Sequence, residues 1–136
     1  MRIIATALLL FLTSCVHRAT ETKKVYFPQM PEPQLGVEDV WLTGGDSGYL
    51  VIDRGCVRLK SDTDHKIATI FWHHAFQLAL NGNSIAIKSS RTGKLYEIGT
   101  HVSIGGGTMS TEAAQQIDPI AVGRCGPRFA SGWIAE

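Results

Sequence analysis

The residues best suited to chemistry in this sequence are two adjacent histidines, His73 and His74, which directly follow Trp72. Imidazole is the commonest protein ligand of zinc and copper, so the pair raises the hypothesis of a metal site. Adjacent residues on a strand point to opposite faces of the sheet, so the two rings cannot readily share one ion. We therefore favour a turn with one exposed imidazole and one packed against the sheet over a metal site. We therefore expect neither a metal nor another cofactor.

Other reactive patterns in the sequence are incomplete. Gly105, Gly106 and Gly107 have amides that can hold an anion, but the lysine of a phosphate-binding loop does not follow them. The Gly-x-Ser-x-Gly motif of serine hydrolases does not occur. The adjacent carboxylates Glu38 and Asp39 lie in a polar segment, where we expect water to solvate them. We therefore predict that the chain is not an enzyme.

The elements that must position these residues are short β-strands. Apolar or alternating runs are separated by turn residues about every eight to twelve positions, which is typical of a small barrel or sandwich. Asp53, Arg54 and Gly55 are expected to form a three-residue hairpin loop, because glycine accepts left-handed backbone. The predicted strands are residues 49–52, 56–60, 67–72, 85–87, 95–98, 102–104 and 128–135.

One segment has the pattern of a short helix. Ser110 can cap its N-terminus, Ala113 and Ala114 favour helix, and Pro119 is expected to end it. We therefore predict a mainly β domain over residues 37–136, a small β-barrel or sandwich with one short helix.

A proline-rich segment precedes this domain. Pro28, Pro31 and Pro33 favour extended backbone, so residues 15–36 are predicted to be a tether. The apolar residues 25–27 interrupt it, either as an attachment to the domain or as a contact with a partner.

The first 14 residues have the layout of a secretion signal. Arg2 precedes an apolar run that is shorter than the ~20 residues needed to span a bilayer. The tetrad that follows resembles the lipobox of bacterial lipoproteins, with the residues Leu12, Thr13, Ser14 and Cys15. The resemblance implies that residues 1–14 are removed and that Cys15 carries the lipid that anchors the chain to a membrane.

The same resemblance indicates a location. Val16 stands where an Asp commonly retains lipoproteins in the inner membrane, which implies the outer membrane, facing the periplasm, in a Gram-negative host. The full chain has 13 Lys+Arg and 12 Asp+Glu, and Arg2 is the one charged residue of the signal. The mature chain is therefore formally neutral, which argues against nucleic acid as a partner.

With Cys15 lipidated, Cys56 and Cys125 remain as an even pair in an oxidising compartment. They either form one disulfide, which we predict, or stay as two separate buried thiols.

A second resemblance concerns the domain itself. The string from Gly48 to Leu59, the later glycine-rich run and the cysteine–proline stretch near the C-terminus look like small secreted or lipid-anchored bacterial β domains to which no activity is assigned. The glycines and apolar residues of this match are scaffold features, so the resemblance bears on the fold and not on the function.

These patterns predict a non-enzymatic binding or structural module for another envelope component, either a protein or part of the cell wall. The expected contact surface is Trp72, His73, His74 and Phe76, unless Trp72 and Phe76 plug one end of the barrel. The alternative function is a small-ligand or metal-binding module that uses the histidines around Trp72. Polar residues converging in a pocket would favour the second function, and an exposed apolar patch would favour the first.

Trp41, Trp72 and Trp133 are either core residues or a stacking platform for sugar.

The lipid anchor gives a direct test. Cys15→Ser should abolish lipidation, because serine cannot supply the thioether sulfur. Detergent partitioning and intact mass of the mature protein measure the effect. An unmodified Cys15 in the mature wild-type protein would contradict the lipoprotein assignment.

Overall fold

The computed structural model describes residues 25–39 and 41–136, so the predicted signal and Cys15 lie outside the described residues. The described part of the chain forms eight strands and two helices: β1 Gly44–Asp53, β2 Cys56–Ser61, β3 Ile67–Trp72, β4 Phe76–Asn81, β5 Ser84–Ser89, β6 Leu95–Glu97, β7 His101–Met109, α1 Thr111–Ile117, α2 Pro119–Cys125 and β8 Phe129–Ile134. Within it, no helix is long and apolar enough to cross a membrane.

The strands form two sheets. Five of them pair in a ring, β1-β2-β3-β8-β7, which closes because β7 also pairs with β1. All pairs in the ring are antiparallel except β3 with β8. The other sheet has the order β4-β5-β6, so the chain as a whole is not one closed barrel. The prediction of a mainly β fold with one disulfide is confirmed.

The core lies inside the ring and continues under the second sheet. Alternation along β1 and β2 buries Leu50, Val57 and Leu59, as the period of two in a strand requires. Trp72 and Phe76 belong to the same cluster and are 0% and 1% exposed. They are therefore core residues, and a partner could not contact them without opening the domain.

The glycines after Ile104 serve close packing between strands. A Cβ on Gly106 would lie 1.9 Å from the Ser131 carbonyl oxygen, and one on Gly105 would overlap the Trp133 ring. Both positions lie within β7, where the sequence suggested a phosphate loop or a wide turn. The run is therefore the point where β7 and β8 approach most closely.

Two local predictions were wrong. Asp53 pairs with Cys56, so the first hairpin has a two-residue loop in which both Arg54 (φ 52°) and Gly55 (φ 72°) are left-handed. This is the arrangement whose twist matches that of the flanking strands. Two helices occur instead of one, because the Asp118 carboxylate accepts the N–H groups of the next turn and starts α2, with Pro119 at its first position.

The predicted disulfide is present. The Sγ atoms of Cys56 and Cys125 are 2.05 Å apart, and the bond joins β2 to the end of α2. Both residues are fully buried in a second apolar cluster with Phe71, Ala114 and Phe129. The bond therefore fixes the end of α2 against β2.

Residues 25–30 pack on the barrel as a strap. Bridges pair Tyr26 with Cys56 and Gln29 with Trp72. The Phe27 ring stacks on Trp72 at 5.5 Å, and the Tyr26 hydroxyl donates to Asp118 at 2.5 Å. Of the two alternatives for the apolar residues 25–27, attachment to the domain is the one observed.

Loss of the disulfide should destabilise the domain severely. The bond closes a loop with a sequence separation of 69, which in the chain-entropy model is worth about 4 kcal/mol. Cys56→Ala with Cys125→Ala should lower the free energy of unfolding by about that amount, measured by urea denaturation. Reduced wild-type protein should unfold at the same lower midpoint. A midpoint equal to that of the oxidised wild type would contradict the expectation.

The strap should make stability depend on alkaline pH. Burial, together with the hydrogen bond to Asp118, raises the pKa of Tyr26 to about 12 from its usual 10.0. The folded state therefore holds this proton more tightly than the unfolded state does, and the stabilisation is lost as pH rises from about 10 through 12. Tyr26→Phe should reduce stability at neutral pH by about 1–2 kcal/mol and flatten that decline. Tyr49→Phe, on the exposed side of β1, is the control, and an unchanged slope in Tyr26→Phe would count against the strap.

Candidate functional site

The two adjacent histidines lie in a turn, not in a strand. β3 ends at Trp72, and the chain turns over residues 73–75 before β4 begins at Phe76. The turn is held by two backbone bonds: His73 N–H donates to the Gly132 carbonyl at 2.8 Å, and Phe76 N–H donates to the His73 carbonyl at 2.9 Å. The ring centroids of His73 and His74 are 4.1 Å apart. The favoured turn, with one packed imidazole and one partly exposed imidazole, is observed, but strand alternation does not apply here and the two rings do not face opposite ways.

A carboxylate faces both rings. Asp39 Oδ1 lies 2.9 Å from His73 Nε2, and Asp39 Oδ2 lies 3.6 Å from His74 Nε2. One ligating atom from each residue lies within 4.8 Å of the others. Sequence reasoning missed Asp39 and placed it in water, since 34 positions separate it from His73 and no local pattern links the two.

Both nitrogens of His73 are engaged, and the residue is 7% exposed. Ala75 N–H donates to Nδ1 at 3.1 Å. A backbone amide can only donate, so Nδ1 acts as an acceptor and is unprotonated. The proton of the neutral ring is therefore on Nε2, from which it is donated in a hydrogen bond to the Asp39 carboxylate. In this arrangement His73 positions the Asp39 carboxylate and is not available as a general base.

Tryptophans form a wall of the site and not an open platform. The Trp41 ring stacks on the His73 ring with centroids 3.9 Å apart. The Trp133 ring meets Trp41 edge to face, with the two ring centroids 5.2 Å apart. The Arg91 guanidinium lies 4.9 Å from the centroid of Trp41. Trp72 stacks in the core instead, so the three tryptophans do not share one surface for a sugar.

The two histidines, Asp39 and Trp133 border a cleft of about 230 Å³ between residues 30–39 and β8. Its polar lining comes from Glu38, Asp39, His73 and His74, and its apolar lining includes Pro31 and Trp133. His74 and Asp39 have side chains 28% and 35% exposed, so solvent reaches both. Polar residues thus converge in a pocket, which is the arrangement expected of a ligand site.

A second histidine–aspartate pair provides a comparison within the molecule. His101 Nε2 lies 2.6 Å from Asp62 Oδ2, and both side chains are nearly half exposed. Among the described residues, no third metal-ligating side chain joins this pair. The Asp39 cluster differs because it combines three such groups with a buried ring and a cleft.

Three polar groups that converge in one cleft can bind an ion or a single polar group. Within the described residues, no serine or cysteine side chain hydrogen-bonds to the ring of His73 or His74. Of the predicted contact residues, the histidines lie in the cleft, whereas Trp72 and Phe76 lie behind it in the core.

Comparison with protein-family models, with curated proteins and with solved structures gives no match for this chain. The two resemblances drawn from the sequence therefore stay predictions, and any function must be argued from the geometry of the cleft.

Proposed function

We propose that this chain is a lipid-anchored, non-enzymatic binding module of the cell envelope, and that its binding site is the cleft around Asp39, His73 and His74. The lipobox-like residues 12–15 support the anchor and the location at the outer membrane. The neutral charge balance of the mature chain supports a protein or cell-wall partner in preference to nucleic acid.

The observation that carries the proposed site is the convergence of three polar side chains in one cleft, which by the criterion given above favours binding of an ion or a small ligand group. A volume of about 230 Å³ is below the roughly 300–1,000 Å³ of clefts that hold drug-sized molecules. The cleft therefore suits an ion or a single protruding group of a partner. Glu38 and Asp39 both line it, so the preferred group is a cation or a hydrogen-bond donor.

The anchor strengthens weak binding at such a small site. A lipidated protein and its envelope partner share a restricted volume, so the effective concentration is high and a modest intrinsic affinity is enough. The aromatic wall of Trp41 and Trp133 adds apolar area beside the polar centre. Aromatic residues at that position are typical of protein interfaces.

A matched pair of variants tests the site. His74→Ala should leave the melting temperature nearly unchanged, because its ring is partly exposed and lies 3.6 Å from Asp39. It should reduce severalfold the recovery of proteins cross-linked to the tagged, membrane-solubilised lipoprotein. His73 is unsuitable for this test, because removal of its buried ring would disturb the packing of Trp41.

His101→Ala is the control, since it removes a histidine from an equivalent aspartate pair on the exposed surface. It should recover the same proteins as the wild type. Equal recovery by the His74 and His101 variants would show that partners bind elsewhere.

A further inference from the structure

We propose that the cleft binds one divalent transition-metal ion, best fitted by Zn²⁺, through Asp39, His73 and His74; this inference rests on the proposed use of the cleft as a binding site. Two imidazoles and one carboxylate present their ligating atoms within 4.8 Å of one another. Imidazole suits zinc, copper and iron, whereas magnesium and calcium prefer oxygen alone. The mixed set therefore selects a transition metal.

The distances fit such an ion with little movement. Ligands at about 2.0–2.2 Å from a tetrahedral zinc are separated from one another by roughly 3.4 Å. Asp39 Oδ1 lies 2.9 Å from His73 Nε2 and Asp39 Oδ2 lies 3.6 Å from His74 Nε2, on either side of that value, and the ligating atoms of the three residues lie within 4.8 Å of one another. Rotation of Asp39 and His74, whose side chains are partly exposed, would bring one carboxylate oxygen and the two imidazole nitrogens to zinc-bonding separations.

The site is already held in place by the fold. Stacking on Trp41 and the backbone bond to Gly132 fix His73, and the open side of the cleft leaves room for a water molecule or Glu38 as a fourth ligand. Three protein ligands with one open position is the arrangement of exchangeable or catalytic zinc, whereas structural zinc has four protein ligands.

One hydrogen bond opposes the metal. Binding requires the Nε2 lone pair of His73, so the proton must move to Nδ1, which now accepts from Ala75 N–H. Metal-bound histidines usually direct the second nitrogen to an acceptor. The turn at residues 73–75 must therefore adjust, and we expect a weaker affinity than in a site whose second nitrogen meets a carbonyl or carboxylate.

The test uses the lipidated protein purified in detergent and stripped with chelator. Titration of zinc sulfate by calorimetry should show one ion per chain. His74→Ala and Asp39→Asn should each weaken binding by at least the roughly 10–100-fold that is typical when a group supporting a metal ligand is removed, because each variant removes a direct ligand. His101→Ala should bind as the wild type does. Co²⁺ in place of Zn²⁺ should give visible absorption bands in the wild type that are lost in His74→Ala.

The outcomes separate the metal from the partner. No zinc binding by the wild type, or equal binding by His74→Ala and His101→Ala, overturns the metal site. If zinc fails while His74→Ala still reduces partner capture in the presence of chelator, the metal site is overturned and the proposed function stands. If zinc binds as described and no partner is captured, the metal site stands and the partner proposal falls.

Discussion

The burial of Trp72 is the constraint on which both the core and the cleft depend. Its indole is fully buried and stacked on Phe27. Its backbone donates to the Pro28 carbonyl at 2.9 Å and accepts from Met30 N–H at 2.7 Å. The next amide, that of His73, extends the pairing with β8 by donating to the Gly132 carbonyl, and Phe76 N–H then donates to the His73 carbonyl, which turns the chain. The turn that brings the two histidines together therefore begins where the largest core residue is fixed.

Local patterns predicted much of the fold and part of the site. Alternation identified the barrel strands β2 and β3 closely, and cysteine parity identified the Cys56–Cys125 bond. The second helix was missed because Asp118 acts in two helices at once, as the end of α1 and the cap of α2. β4 was missed because its apolar run adjoins the turn and has no clear start signal. The Asp118 cap and Pro119 are local signals, and Pro119 was interpreted as the end of one helix when it also begins the next.

For the candidate site, local sequence patterns predicted less than they did for the fold. Histidine type and adjacency selected two residues that the structure places together in the cleft, but the geometry assigned to them came from a strand that ends at Trp72. Asp39 was not identified because its role depends on a loop lying across the barrel, which no spacing in the sequence encodes. The hydrogen bond from Ala75 to His73 then creates a competition: the proton arrangement that holds the turn is the one that a metal must reverse. Local sites that oppose their own stability in this way are common where binding is reversible.

If Cys15 carries a lipid as proposed, the strap shortens the distance at which the domain can lie from the membrane. If residues 15–36 were all free, the anchor could extend to roughly 75 Å, at up to ~3.5 Å per residue. Tyr26 and Gln29 are paired with the barrel, so only about ten residues after Cys15 remain to span the gap, roughly 35 Å at full extension. That length is close to the ~30 Å diameter of a small domain. A lipid on Cys15 would therefore keep the barrel beside the headgroups, within reach of membrane-bound neighbours and too close to sample the middle of a wide compartment.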